Sequence, residues 1–292
     1  MIQFSSNTKV ALALSSGGAK GYAHIGVIKA IEETGAQITS IAGCSMGAMI
    51  GGLYAAGKLN EAYLWLRSID NKDVFSLTDL HNIRLNGLMD GEDILEKLHD
   101  IVGDVRIEDL RIPFCAIATD LDKGTEVVID KGPLLDAIRA SISMPAVFRP
   151  YTPKGSKLRL VDGGVVNGLP INRLKRQKGD VVVAINLDTY GKKKSTRKKK
   201  TPQLFSTLFS SVTSENFIDI LMNSFYISLK QNKKMMVEQT KPDFYLNIYL
   251  KGYSTNDFSD AQRIAHLGYY QMKEQIEKSS KETESSKETE SV

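Results

Sequence analysis

Residues 9–21 and 38–47 read KVALALSSGGAKG and ITSIAGCSMG, and the pattern that they share indicates the fold class. Each begins with a short apolar run, reaches a glycine-containing turn and passes into a segment with helical character. After the first turn, isoleucines recur at a spacing of three from Ile25 until Gly35, a typical helix stop. This repeated order of strand, sharp turn and helix predicts a sheet with parallel strands.

Further strands are predicted downstream by apolar runs that lack polar alternation. The clearest are at 114–118 and 181–187, with shorter candidates at 126–129 and 158–161, and a helix with one apolar stripe is predicted at 90–103. Strands without alternation are typical of a sheet that is covered on both faces. The sequence therefore predicts an α/β fold with three layers, α/β/α, around a mostly parallel central sheet.

Changes in composition divide the chain into four predicted segments. Residues 1–190 form the main domain, and 191–202 form a basic loop. Residues 203–278, with helical patterns around one strand candidate, are expected to pack on that domain as an appendage. Residues 279–292 repeat SSKETE without an apolar residue to bury, so a disordered tail is predicted.

Composition excludes several classes of protein. The chain has 292 residues, of which 42% are apolar, and its 38 basic and 34 acidic residues give a net charge of +4. That charge does not indicate a nucleic-acid partner. Since the sequence has neither an apolar stretch of about 20 residues nor a secretory signal, a cytoplasmic protein is predicted. Cys44 and Cys115 lie in apolar segments, so neither a disulfide nor a metal site is expected.

A basic run, KKKSTRKKK, occupies residues 192–200. Its like charges repel one another, which is typical of a solvated loop. The alternative is peripheral contact with an anionic membrane surface. The residues available for that contact are Lys192, Lys193, Lys194, Arg197, Lys198, Lys199 and Lys200.

Ser45 lies at the centre of a G-x-S-x-G motif, at the predicted change from strand to helix. A turn that exposes a serine at a sheet edge needs neighbours without bulky side chains, which Gly43 and Gly47 provide. The following helix start directs free N–H groups at developing negative charge. The motif thus indicates a nucleophile, although a serine that only caps a helix after a glycine-rich turn would give the same sequence pattern.

A second glycine turn follows the first predicted strand. It comprises Ser16, Gly17, Gly18, Ala19, Lys20 and Gly21. Consecutive glycines let several N–H groups converge on an anion, either the oxyanion of an acyl transfer or a phosphate. The P-loop pattern is absent, and the dinucleotide pattern fails because its first position is Ser16. The loop therefore favours an oxyanion hole.

A serine nucleophile needs a base, and two kinds of candidate exist. The chain contains four histidines, His24, His81, His99 and His266. None lies in a catalytic pattern, although His266 follows Ser45 and Asp162 in the order of α/β-hydrolases. Asp162 ends a short apolar run before Gly163 and Gly164, where a carboxylate could contact the serine directly. By itself, D-G-G is more often only a turn.

Together these motifs resemble the patatin-like phospholipase family, which combines a glycine-rich oxyanion loop, an early G-x-S-x-G elbow and a D-G-G or D-G-A base. The resemblance covers about residues 10–187, including IPFCAIATDLDKG from Ile112, SISMPAVFRP from Ser141 and NGLPIN after the base. The chain is similar to the small bacterial branch without an accessory lipid-binding domain. The resemblance implies the patatin-like fold for 1–190.

The resemblance also implies a role for each motif residue. Ser45 would be the nucleophile and Asp162 its base without histidine, while the backbone of Gly17, Gly18 and Ala19 would hold the oxyanion. Lys20 is expected to order the loop, and no cofactor or metal is implied. The glycines that would support these motifs are Gly21, Gly43, Gly47, Gly163 and Gly164. Ser16 departs from the family's usual glycine, and a serine at positive φ would distort the loop.

The expected activity is hydrolysis of a lipid acyl ester through a Ser45–Asp162 dyad. An acyltransferase of related fold is a rival, but that class has histidine where this chain has Cys44. A non-catalytic lipid-sensing or regulatory protein is another. The residues leave open whether the ester belongs to a phospholipid, a lysophospholipid, a neutral lipid or a thioester.

Overall fold

The computed structural model describes residues 2–68, 91–187 and 216–290. Within these ranges the strands are β1 Lys9–Leu14, β2 Gln37–Cys44, β3 Phe114–Asp120, β4 Thr125–Ile129, β5 Leu160–Asp162, β6 Val181–Leu187 and β7 Phe244–Ile248. The α-helices are α1 Ala23–Glu33, α2 Met46–Ala55, α3 Leu59–Leu66, α4 Glu92–Val102, α5 Leu134–Ser141, α6 Asn216–Thr240 and α7 Ala261–Glu290. Short 3₁₀ helices at Gly18–Tyr22 and Gly163–Val165 follow β1 and β5.

All the strands belong to one sheet, which is mostly parallel as predicted. The order is β4-β3-β2-β1-β6-β7, and β5 pairs with β3 outside this path. The pairs β1–β2, β1–β6, β2–β3 and β6–β7 are parallel, whereas β4 and β5 run antiparallel to β3. The carboxyl ends of β1 and β2 therefore lie side by side, and so do the two glycine turns that follow them.

Helices cover both faces of the sheet, which confirms the three-layer α/β/α prediction. On one face Leu12 and Leu14 belong to a core that includes Ile264 of α7 together with residues of α1 and α2. On the other face Ala13 belongs to a smaller core against which Met236 of α6 packs. Burial on both faces explains why β1 and β3 are apolar without alternation.

The C-terminal elements are integrated into this architecture rather than appended to it. β7 pairs with β6 and forms an edge of the sheet, and α7 packs along α1. The two helices approach closely, since a Cβ at Gly26 would lie 1.9 Å from the Ala265 carbonyl oxygen and one at Gly268 would lie 2.2 Å from that of Ala23. The expectation of an appendage over 203–278 therefore differs from what the structure shows.

The predicted disordered tail over 279–292 also differs from the structure, because α7 continues to Glu290. Glutamate and lysine are good helix formers and extend a helix that is already nucleated by packing. The Ser279 hydroxyl donates a hydrogen bond to the Ile2 carbonyl, and Lys278 pairs with Glu274. The prediction missed this because it considered only the lack of apolar residues. The boundaries at 190 and 202 fall outside the described residues.

Candidate active site

Ser45 occupies a strained turn between β2 and α2. Its backbone has φ 54° and ψ −123°, a region that costs a residue with a Cβ on the order of 1–3 kcal/mol. A Cβ at Gly43 would lie 2.6 Å from the Ala48 Cα, and one at Gly47 would lie 2.3 Å from the Leu14 carbonyl oxygen. Only glycine fits at these two positions. The motif glycines therefore let α2 pack closely against β1 and β2, which places Ser45 at the carboxyl edge of the sheet.

Asp162 reaches the same edge through the pairing of β3. The first part of β3 pairs with β2 and the last part with β5, while β4 occupies the opposite side of β3. β5 therefore lies beyond the carboxyl end of β2, where Ser45 follows. The Asp162 carboxylate interacts with the Ser45 side chain and accepts a hydrogen bond of 2.7 Å from the Gly164 N–H. The structure thus brings together two side chains that are 117 positions apart in the chain.

The surroundings of Asp162 make it a stronger base than an ordinary aspartate. Burial raises the pKa of its carboxyl group to about 6, although hydrogen bonds from Ser45, Gly164 and Cys44 and the charge of Lys233 act in the opposite direction. Only 3% of Asp162 is exposed. Such a carboxyl group is ionised at neutral pH, yet it binds a proton more readily than a solvated one.

The glycine loop lies against Met46, and its amide groups are not all available to a ligand. A Cβ at Gly21 would lie 2.1 Å from Met46 Cγ, so the loop abuts the residue after Ser45. Gly18 has φ 55°. The Ala19 N–H donates a 2.9 Å hydrogen bond to the Thr255 carbonyl. Ala19 therefore differs from its predicted role, because the chain segment before α7 already occupies its donor.

Ser16 does not distort this loop. Among the described residues other than glycine, positive φ occurs at Ser45, Ala146 and Lys241, and Ser16 is not one of them. The Ser16 N–H donates a 2.9 Å hydrogen bond to the Gly168 carbonyl, which ties the glycine loop to the segment after Asp162. Lys20 is buried with the loop. The departure from the family's glycine is therefore accommodated by ordinary backbone geometry.

Ser141 is a site residue whose role the sequence did not reveal. The Ser45 N–H donates to the Ser141 Oγ at 2.8 Å, and that hydroxyl donates to the Ile117 carbonyl at 2.6 Å. The Ser45 amide is therefore occupied and the strained turn is anchored to β3. The sequence offered only a weak signal, the serine that ends a helical pattern in SISMP.

Two residues of α6 also contact the site without having been predicted. The Asn232 amide donates to the Gly164 carbonyl at 3.0 Å and its oxygen accepts from the Gly168 N–H at 3.3 Å. The Lys233 ammonium donates to the Ser16 carbonyl at 2.9 Å. A helical pattern could have indicated Lys233, because it shares a face with buried Leu229, four residues earlier.

The described histidines do not contact Ser45. His24 is buried with its Nε2 2.8 Å from the Ser15 carbonyl oxygen, and burial lowers its pKa to about 4. His99 contacts Asp104, and His266 packs against Tyr270. His81 and the basic run at 192–200 lie outside the described residues. Among the candidate bases that the structure describes, Asp162 is the one whose side chain contacts Ser45.

Comparison with known proteins establishes the family. The sequence model of the patatin-like phospholipase family matches residues 12–175, more than half of the chain. The chain belongs to this family of lipid hydrolases.

Residues 188–215 are not described, but no helix in the described ranges is long and apolar enough to cross a membrane.

Relatives cover different shares of the chain. An uncharacterized NTE family protein of Mycobacterium bovis is 46% identical over 187 residues, which are 64% of this chain and 51% of that protein. Neuropathy target esterase sws of Drosophila melanogaster is 33% identical over 61% of this chain and 13% of its own length. Lysophospholipase NTE1 of Meyerozyma guilliermondii is 27% identical over 90% of this chain and 19% of its own length. The chain thus spans about half the length of the mycobacterial relative and far less of the others.

Two solved structures align with most of this chain at low sequence identity. VipD from Legionella pneumophila aligns with a TM-score of 0.46 at 13% identity, over 93% of this chain and 67% of its own. The type III effector protein ExoU aligns with a TM-score of 0.40 at 15% identity, over 92% of this chain and 53% of its own.

Proposed function

We propose that the chain hydrolyses carboxylic esters of lipids, with Ser45 as nucleophile and Asp162 as its base. The observation that carries this proposal is the contact between the Ser45 side chain and the buried Asp162 carboxylate at a strained elbow. Family membership supports the reaction class. The matched relatives include a protein named as a lysophospholipase, so a monoacyl phospholipid is the first substrate to test.

The reaction has two acyl-transfer steps. Asp162 accepts the proton of the Ser45 hydroxyl as its Oγ attacks the ester carbonyl carbon. The tetrahedral intermediate collapses when the C–O bond to the alcohol breaks, and the proton on Asp162 passes to the leaving oxygen. Water then gives a proton to Asp162 and attacks the acyl-enzyme, and release of the acid returns that proton to Ser45.

The oxyanion is proposed to bind to the N–H groups of Gly17 and Gly18. In the part of the chain that the structure describes, neither group donates a hydrogen bond, unlike that of Ala19. Both belong to the loop that abuts the start of α2, where the helix dipole favours negative charge. Each donor in such a hole is worth about 3 kcal/mol in known enzymes.

The location of the protein in the cell and its contact with membranes are further parts of the proposal. We propose a cytoplasmic protein, and for its basic run at 192–200 peripheral contact with anionic membrane surfaces is the alternative to a solvated loop. Binding to vesicles with and without phosphatidylserine checks this, with weaker binding at high salt as the expected result.

Substitution of the two side chains tests the function. Ser45→Ala and Asp162→Asn are each expected to lower hydrolysis of lysophosphatidylcholine and of p-nitrophenyl butyrate by about 1,000-fold or more, because the nucleophile or its base is lost. Circular dichroism and thermal melting check that both variants are folded. Activity of either variant within tenfold of wild type would refute the dyad.

Matched controls are available in the same sheet. Ser40 is a buried serine of β2 whose hydroxyl has no partner among the described residues, so Ser40→Ala is expected to keep full activity. Asp180 is a buried carboxylate just before β6, where it accepts a hydrogen bond from the Thr39 hydroxyl. Asp180→Asn therefore controls for loss of a buried charge away from Ser45.

A further inference from the structure

Lys233 is a buried cation that the family-matched segment 12–175 does not include. It lies on the inner face of α6 with 3% of its surface exposed. A lysine is rarely buried to this degree unless its ammonium group has polar partners. Here it donates to the Ser16 carbonyl at 2.9 Å and approaches the Leu187 carbonyl at 3.4 Å.

The contact with Ser16 controls the direction of a neighbouring N–H group. The Ser16 carbonyl and the Gly17 N–H belong to one planar trans peptide unit, so they point in opposite directions. The Ser15 hydroxyl also donates to the Ser16 carbonyl, at 3.2 Å. Holding this carbonyl toward α6 therefore directs the Gly17 N–H away from α6. Gly17 itself gives the peptide no side chain to resist rotation.

Asn232, the residue before Lys233 in α6, holds the segment that follows Asp162. Asn232 bonds to Gly164 and Gly168, and Gly168 accepts the Ser16 N–H. Lys233 and Asn232 therefore bind the glycine loop and the segment after Asp162 from the same turn of α6.

Lys233 also acts on Asp162 through its charge. Within the described ranges, the titratable groups that face this carboxylate are Cys44 on β2 and Lys233 and Tyr226 on α6. Glu126 acts on Cys44. The charge of Lys233 favours the ionised carboxylate and so counteracts part of the effect of burial.

We propose that Lys233 is a positioning residue for acyl transfer: its ammonium group holds the Ser16 carbonyl toward α6, which orients the Gly17 N–H toward the oxyanion, and it places a positive charge near the Asp162 carboxylate. This inference rests on the proposed function and extends it, because it makes α6 part of the catalytic unit. A chain that ends at residue 190 would lack this cation.

Kinetics of Lys233 variants test the inference. Lys233→Met is expected to lower kcat for p-nitrophenyl butyrate by about 10- to 100-fold with KM changed less, since the oxyanion exists only in the transition state. It is also expected to shift the acidic limb of the kcat/KM profile to higher pH. Lys233→Arg, which keeps the charge, is expected to restore the position of that limb. The matched control is Lys234→Met, because Lys234 is exposed and pairs with Glu238.

If the acidic limb of the kcat/KM profile stays at the wild-type pH in Lys233→Met, the proposed action of the Lys233 charge on Asp162 is overturned, whether or not kcat falls. A kcat within twofold of wild type would overturn the orienting role. Should the methionine variant fail to fold, Lys233→Gln takes its place with the same criteria. If wild type and Ser45→Ala are equally active, the proposed function fails instead.

A second measurement does not depend on turnover. Aspartate carboxyl groups labelled with ¹³C report the titration of Asp162 by NMR, with its resonance assigned by its loss in Asp162→Asn. Lys233→Met is expected to raise the midpoint of this titration above that of wild type. An unchanged midpoint contradicts the inference even if no substrate has been found.

Discussion

The family-matched part of the chain and the residues after 215 build the site in different ways. In the first part, backbone geometry places the reactive groups: the elbow presents Ser45, and pairing of β3 with β5 presents Asp162. In the second part, Asn232 and Lys233 hold the two loops through side-chain contacts, and the Thr255 carbonyl occupies the Ala19 amide. A motif can therefore be local in sequence while the contacts that hold its loops come from a distant helix.

The largest effect on stability is expected at Gly47, where the surrounding backbone leaves no space for a side chain. Gly47→Ala is expected to destabilise the protein by about 4 kcal/mol or more, since its Cβ would lie 2.3 Å from the Leu14 carbonyl oxygen. Urea unfolding measures the loss. Gly124 has φ 66° with nothing within 4 Å of an added Cβ, so Gly124→Ala is expected to cost only about 1–2 kcal/mol. Equal losses at the two positions would contradict the close-packed elbow.

A smaller effect is expected for the side-chain contacts of α6. Asn232→Ala removes two hydrogen bonds to the backbone of Gly164 and Gly168 and is expected to cost about 1–3 kcal/mol of unfolding free energy. Activity is expected to fall in parallel, because these bonds hold the segment that carries Asp162. Gln231 is exposed on the same helix, and Gln231→Ala provides the control. If both variants match wild type, α6 does not support the site.

Much of the local structure could be predicted from sequence. The run predicted at 181–187 is β6 with the same bounds, the apolar start of 9–21 is β1, and the two glycine turns follow β1 and β2. These features depend on neighbouring residues and on burial on both faces, which an apolar run records directly. The motif spacing also led to Ser45 and Asp162, which the structure brings together.

What could not be predicted depends on contacts between distant segments. The Ser141 hydroxyl accepts a hydrogen bond from the Ser45 N–H because α5 ends beside β3. The Ala19 N–H is occupied because the Thr255 carbonyl, in the segment before α7, accepts its hydrogen bond. The raised pKa of Asp162 follows from burial, which depends on how distant segments pack around the carboxyl group. The helical tail was missed because its composition alone suggested disorder.

Direct activation of Ser45 by the Asp162 carboxylate can be tested by the rate at which a fluorophosphonate modifies Ser45. Asp162 accepts a proton only when ionised, so the wild-type rate should rise with pH, level off above a pKa of about 6 and fall about tenfold per pH unit below it. Mass spectrometry of the intact protein follows the reaction, with Ser45→Ala as blank. Asp162→Asn should react at least about 1,000-fold more slowly, without this pH dependence. Labelling of Asp162→Asn at the wild-type rate, or a wild-type rate independent of pH between 4 and 8, would contradict direct activation of Ser45 by Asp162.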